Sequence, residues 1–554
     1  MRLDLQRLPE NIGGLSSFAT AVLGSKVAFE HVTVALDAGV IAAPPDVFSL
    51  EDRGELAETL ERNLAPLAPH VAVLDSIRAL RKPRACCVVT GQQPALLASP
   101  LFALYKALHA IRLARSLSQA WETPVIPLFW NHADDHDVAE VHHTWLLNEN
   151  LDLQRVGLAG MSSGRLPLSR LRLTEDKQHL SALRELLRQT LARHAHAEDA
   201  IELLLARDGD TFASTFTRAM TQLLGHLGLV VVEPDWIRER LSRALAGVVA
   251  SPLATALAAG DAALRTAGLE PAIESTTAAL VFRVDDAGRH GLRLGGDGFR
   301  YDNEEGSRTA SELAAEIVQD VGAWSPGALL RPIVQDMSLP VAAYVGGWSE
   351  LQYHAQLGAL RRALAMPQAY VVPRWSCTLI DPQAGDAVTQ LGMPIGAVLA
   401  ARGRIEQDDP AESAPPVVAA MRGIAERAAS ELLAQKMALA ELDRGLAQNL
   451  GRTASQIRSL IDKMSEKAER VHANNQGRGK RVVRRVTNTL CPRGELQERV
   501  LGPLPFLAQF GRGWIDELFE QVGPFERAHL IASWSEGGDR RDQGDAEHDG
   551  GDAR

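Results

Sequence analysis

Cysteine is scarce: Cys86, Cys87, Cys377 and Cys491 are the only four in 554 residues. Four thiols at these spacings offer neither a disulfide framework nor a Cys-rich zinc site, and they fit a reducing cytosol. Long apolar runs are missing too. No stretch of about 18 apolar residues is present that would span a bilayer, and the opening "MRLDLQRLPENIGG" lacks the apolar core of a signal peptide. These absences lead us to expect a cytoplasmic protein with no membrane partner. Basic charge is in deficit, with a formal net charge of −11. That argues against broad nucleic-acid binding while leaving room for a local phosphate site. Proline, finally, is absent from Val417 to Cys491.

What is present reads as an α/β protein of several domains, since 554 residues exceed what one hydrophobic core organises. Five apolar runs look like strands buried on both faces: "ACCVVT" (85–90), "PVIPLFW" (124–130), "LGLVVVEPD" (227–235), "LPVAAYVGG" (339–347) and "AYVVPRW" (369–375). Helical patterns such as "PLFALYKALHAIRLARSL" alternate with them, which predicts a parallel, doubly wound sheet.

The chain then divides as follows. Residues 1–80 form a mostly helical segment packed on the core. Residues 81–239 and 326–401 are the two parts of the core, separated by a Gly-rich insertion at 240–325. A charged, proline-containing linker covers 402–416. The proline-free stretch begins there, and Leu439, Leu442, Leu446, Leu450, Thr453, Ile457, Leu460, Met464 and Val471 recur mostly three and four apart. That stripe predicts a coiled-coil arm over 417–476. Residues 477–534 return to the core, and the Gly/Asp-rich tail 535–554 is expected to be disordered.

Chemistry concentrates in two loops. After the first run comes "GQQPALLA", then Ser99-Pro100, which read as N-cap and first residue of a helix. That helix presents Leu101, Leu104, Leu108 and Ile111 to the sheet and leaves Phe102, Lys106 and His109 on another face. After the second run, Trp130 gives way to "NHADDHD", five titratable groups in seven residues. Loops at the carboxyl edge of an open parallel sheet are where ligands bind, near helix N-termini that favour anions. Thr90, Gly91, Gln92 and Gln93 are therefore expected to share one crevice with Trp130, Asp134, Asp135, His136 and Asp137. A core would exclude such charges. Helix capping by Asp134 to Asp137 is an alternative, as is zinc ligation by His132 and His136 with an acid, although the metalloprotease spacing is incomplete. A second strand-to-helix junction, Gly346-Gly347 followed by Glu350 and Tyr353, repeats the design and adds four candidate ligand-binding residues. The basic stretch "GRGKRVVRR" (477–485) reads as a solvated face.

These residues carry a resemblance. "VVTGQQ" with Pro100 and Lys106, "PVIPLFW" with "DDHD", Glu140 and His143, then "RPIVQD", "VGGWSE" with Tyr353, "VVPR" and "PRGELQER" follow in order along the chain. In this it resembles the cysteine ligases of bacillithiol biosynthesis, the BshC family, from about residue 80 to 380 and through the arm to about 511. There are departures. Ala95 and Ser99 stand where the family pattern has glycine, and Asp134 where it has glutamate.

The resemblance implies a Rossmann-like core related to class I synthetases and nucleotidyltransferases, a connecting-peptide-like insertion, and an arm that mediates homodimerisation. It also implies a reaction, the joining of the cysteine carboxylate to the amine of glucosaminyl-malate. A carboxylate is a poor electrophile, so ATP with Mg²⁺ is the expected activator, and no tightly bound transition metal is expected. In that scheme the "TGQQ" loop and Lys106 hold the anion. Asp135 and His136 take the proton of the attacking amine, Asp137 orients His136, and Asp134 binds Mg²⁺ or the sugar amine. Two other readings remain at this point: a metal-dependent hydrolase using His132, Asp135 and His136, and a noncatalytic coiled-coil scaffold.

Overall fold

The computed structural model describes residues 2–158, 161, 164–173, 177–296, 298–301, 307–405 and 416–535. The tail beyond 535 and most of the 402–416 linker lie outside the described residues.

All five apolar runs become strands of one six-stranded parallel sheet. Its members in chain order are β1 (Val32–Val34), β2 (Cys86–Gln92), β3 (Val125–Asn131), β4 (Val230–Val232), β5 (Val341–Gly346) and β6 (Ala369–Pro373). Their order across the sheet is β1-β6-β5-β2-β3-β4. β2 pairs with β3 from Cys86↔Val125 to Gln92↔Asn131, and with β5 on its other side.

The strands lack hydrophobic alternation because both faces are covered. Cys87 and Val89 join Leu128 and Val230 in one apolar cluster, while Cys86 and Val88 join Val345 in another on the opposite side. Each fully buried valine contributes about 1.5–3 kcal/mol. From β2 the chain winds outward through β3 to β4, and from β5 it winds the other way through β6. The carboxyl ends of β2 and β5 therefore bound the switch point where crevices open in such sheets.

Helix Leu101–Trp121 follows β2 and differs from the amphipathic expectation. Lys106 is 1% exposed and His109 0%. The face bearing them is covered from two places: Trp375, just past β6, stacks on His109 at 5.1 Å, and Pro524 O of the C-terminal segment accepts from His109 Nε2 at 2.6 Å. The helix start also shifts by one residue. Pro100 takes the cap position after a cis bond from Ser99, whose hydroxyl donates to Leu96 O at 2.8 Å. The amide of Leu101 is satisfied instead by Leu501 O.

Three further units surround the sheet. Helices Arg238–Ala250 and Leu253–Thr266 lead into a five-stranded antiparallel sheet spanning Val281 to Pro326. Strand Arg2–Leu8 pairs antiparallel with His529–Ser535, which runs parallel to Ser376–Ile380. The arm is helix Pro416–Ala434, a short helix Lys436–Leu442, and helix Arg444–Leu490, whose 47 residues span about 70 Å. No single helix among the described residues is long and apolar enough to cross a membrane.

Candidate active site

At the switch point, residues following β2 meet residues following β5. Lys106, on the second turn of its helix, donates to Gly91 O at 2.8 Å and Gln92 Oε1 at 3.1 Å, and pairs with Glu350 at 2.5 Å. Glu350 opens helix Trp348–Gln356, where it also accepts from Gly347 N–H and the Tyr344 hydroxyl, both at 2.8 Å. Burial opposes its ionisation, but Lys106 and these two donors outweigh it and hold the carboxyl below the usual range. Burial lowers the Lys106 pKa and Glu350 opposes that shift, and with three acceptors in reach the ammonium has a partner for each proton. Its protons are all engaged, so it is a strut across the crevice floor, not the free cation expected from the sequence.

Gly91 is needed where it stands. A Cβ there would lie 2.5 Å from His132 Nε2 and 2.6 Å from Trp130 O. At Gly346 a Cβ would meet the Tyr344 ring at 2.8 Å. Thr90 is fully buried and ties β2 to β5 by donating to Val345 O. Trp130 lies in the apolar core at 2% exposure. Neither of these two reaches the crevice, because both point into the sheet's packed layers.

The two loops do face each other. Gln93 Nε2 donates to Asp135 Oδ2 at 2.8 Å. Asp135 also accepts from His136 N–H at 2.7 Å and lies 3.6 Å from Arg289. Burial raises its pKa, but Arg289 and these hydrogen bonds prevail and keep it below the ordinary carboxylate value. The neighbouring acids are placed otherwise. Asp134 is bound by Arg238, with one contact at 3.1 Å, so it is not free for Mg²⁺ or an amine. Asp137 makes no hydrogen bond to His136 among the described residues and caps the short helix Val138–Val141, accepting from Glu140 N–H at 3.4 Å. For Asp137 the capping alternative describes the geometry.

The resulting cleft, of about 290 Å³, is lined by Gln92, Gln93, Phe102, His132, Asp135, Gly347, Glu350 and Tyr353, together with three arginines that sequence reasoning missed: Arg331, Arg374 and Arg499. Arg374 pairs with Glu498 at 2.7 Å and stacks over Phe102. Arg331 is the unusual one. Among the described residues its guanidinium makes one hydrogen bond, to the Tyr353 hydroxyl at 3.2 Å, and no carboxylate lies within ion-pair distance. The signal for it was the "RPIVQD" motif, in which Arg331 begins a helix with proline in its first turn. A neighbouring space of about 400 Å³ shares Gln92, Gln93, Phe102 and Arg499 and is lined further by Glu140, His143 and Arg493. A small cavity of about 50 Å³ lies at the opposite, amino edge of the sheet, away from these groups.

This cationic wall fits an anionic substrate, a phosphate or a carboxylate. It does not offer Mg²⁺ free protein carboxylates, since Asp135 and Glu350 are each engaged by cations. Among the described residues no three His, Cys, Asp or Glu side chains converge as a metal-ligand set. His132, Asp135 and His136, the set required by the hydrolase reading, do not form one; Arg289 engages the latter two instead.

With the geometry in view, comparison with known proteins is informative. Residues 45–375 match the family profile described as "Bacillithiol biosynthesis BshC, N-terminal Rossmann-like domain", and residues 379–534 match that of its C-terminal coiled-coil domain. A protein of Solibacter usitatus named "Putative cysteine ligase BshC" is 30% identical over 503 residues, covering 88% of this chain and 90% of its own. Proteins of the same name from Koribacter versatilis and Symbiobacterium thermophilum are 29% and 30% identical, over 86% and 85% of this chain. A solved structure described as an arginyl-tRNA synthetase from Campylobacter jejuni overlays 84% of the chain at 9% identity with a TM-score of 0.23, too loose a match to extend the fold assignment.

Proposed function

Because this chain belongs to the BshC family of bacillithiol biosynthesis, we propose that it is a ligase closing an amide bond between the carboxyl of cysteine and the amine of glucosaminyl-malate, with ATP as activator. The observation that carries the reading is Arg331. A guanidinium at the cleft that has a tyrosine oxygen and, among the described residues, no carboxylate within ion-pair distance is a site for a substrate anion, and both substrates bear carboxylates. Arg499 at the rim adds a second positive charge.

Bound nucleotide supplies the missing leaving group on the cysteine carboxyl. The protein's part is to hold and orient. Lys106 and Glu350 brace the ends of β2 and β5 so that the cleft does not spread. Asp135, kept ionised and fixed by Gln93, binds the ammonium of the acceptor sugar, takes up the proton it must lose and aligns the freed amine toward the carboxyl. Apolar packing of Phe102 under Arg374 shields one side of the cleft from water.

The test is mass spectrometry of the purified protein incubated with cysteine, glucosaminyl-malate and Mg-ATP, omitting each in turn. The condensed thiol should appear only in the complete mixture, and Arg331→Ala should lower its rate by roughly two orders of magnitude. Folded protein that forms no product from authentic substrates would count against the ligase, and product formed without ATP would count against nucleotide activation.

A further inference from the structure

The sheet that follows the insertion's two helices reaches into the crevice loop through one side chain. Arg289, on strand Gly288–Gly295, places Nη1 3.2 Å from His136 Nδ1. A guanidinium has five N–H donors, no acceptor, and does not lose its proton in proteins. The contact therefore requires His136 Nδ1 to present its lone pair, and the proton of the neutral ring must sit on Nε2.

Arg289 is not free to swing away. It is 6% exposed, its Nη2 donates to Ser325 Oγ at 3.3 Å and Pro326 O at 3.4 Å, and its plane stacks on the Phe282 ring at 3.8 Å. Two other strands of the same sheet thus fix the guanidinium, and the guanidinium fixes the imidazole. The Nε2 edge of His136 has no hydrogen-bond partner among the described residues, and the side chain is 31% exposed next to Asp135, which lines the cleft.

We propose that Arg289 is a positioning residue that locks His136, which stands beside the cleft and outside its lining, as a neutral imidazole with its proton on Nε2, so that the ring offers a donor and not a base to a substrate group held at Asp135. That a substrate lies there rests on the ligase reading; the tautomer does not. A preset donor aimed where negative charge develops needs no proton transfer and no reorganisation during the reaction. The charged groups around the ring are Asp135 and Asp137 on its own loop, Arg289 on the insertion sheet, and Arg165 from the segment 164–173, with Phe282 5.9 Å away. Burial and then Arg289 disfavour the protonated ring, the two aspartates favour it, and the balance keeps it neutral to lower pH than a free histidine.

Nitrogen NMR of the full chain labelled at histidine reads the tautomer directly, with the His136 signals assigned by their loss in His136→Gln. The expected result is a protonated Nε2 and an unprotonated Nδ1 in the wild type. In Arg289→Met the ring should populate both tautomers and titrate at higher pH, with Arg289→Lys intermediate. In the ligase assay His136→Gln, whose amide N–H can replace Nε2–H, should stay within about tenfold of wild type while His136→Ala falls about 100-fold or more. Arg289→Met should lower kcat more than it raises KM and move the acid limb of the pH profile upward. A protonated Nδ1 in the wild type, an unaltered titration in Arg289→Met, or equal losses in His136→Gln and His136→Ala would each overturn the proposal. If the wild type forms no product at all, the ligase reading fails while the NMR result still decides the tautomer.

Discussion

Lys106 and Glu350 are separated by 244 positions in the chain and by 2.5 Å in the fold. Removing one partner of such a pair leaves the other charge stranded in a poorly solvated place. Lys106→Met should therefore destabilise the protein by about 3 kcal/mol, whereas Lys106→Met with Glu350→Gln should recover much of that loss. Chemical denaturation of the two variants measures this, and equal losses would mean the pair is not coupled.

Glu233 makes a second case. Burial pushes its carboxyl up to about 7, against the hydrogen bond it accepts from Thr217 at 2.6 Å. A raised folded-state value means that its contribution to stability is full below about pH 4.5 and is lost as pH rises through 7. Glu233→Gln keeps the acceptor and removes the titration. It should be more stable than wild type at pH 8 by up to about 3 kcal/mol and show no such advantage at pH 4.5. A stability gap that does not change with pH would refute this.

At this scale the sequence was legible where two partners sit in the loops that follow neighbouring strands, as Gln93 and Asp135 do. It was not legible for Arg289, Arg331, Arg374 and Arg499. Each comes from a different element, and no linear spacing connects an arginine to a cleft that only the folded sheet creates.

Among the elements, the strands of the core were readable because burial on both faces writes itself as an unbroken apolar run. Several other strands were not, two of them near the start of the chain. Val32–Val34 is a three-residue edge strand whose pairing with β6 depends on residues 369–371, and Arg2–Leu8 alternates charge and leucine in a short segment that any surface turn would also allow. The arm shows the opposite error, a correct period on the wrong seam. Its two long helices pack through small residues, including Ala425, Ala429 and Ala454, all buried. Of the expected leucine and methionine stripe, Leu442, Leu460 and Met464 are 80%, 67% and 56% exposed. Helical periodicity identifies an apolar face but not what covers it. We propose that a second copy of the arm does so, as the family resemblance implies. Leu460→Asp with Met464→Asp should then convert a dimer to a monomer in light scattering after size exclusion. A wild-type monomer, or a dimer that survives both changes, would remove the arm as the interface.

For the whole molecule, histidines held neutral in the interior contribute to its response to acid, His109 and His354 among them. Burial is the main cause in both: it brings His109 down to about 4 and His354 to about 3. A depressed value means that stability is present above about pH 6.5 and is lost as pH falls, since the unfolded chain takes up protons that the folded one refuses. His109→Gln retains an N–H for Pro524 O and should flatten the fall in stability between pH 6.5 and 4 by up to about 3 kcal/mol. A melting-temperature series across that range tests it, and a parallel decline in both proteins would show that other groups govern the acid limb.

The strand Arg2–Leu8 has a consequence of another kind. Among the described residues it is paired only by His529–Ser535, which is made about 520 residues later. At roughly 5–20 residues per second, translation keeps it waiting for about half a minute to two minutes. Throughout that interval the nascent chain carries an unsatisfied backbone edge, a place where a chaperone or a neighbouring polysome product finds the strand before its partner does.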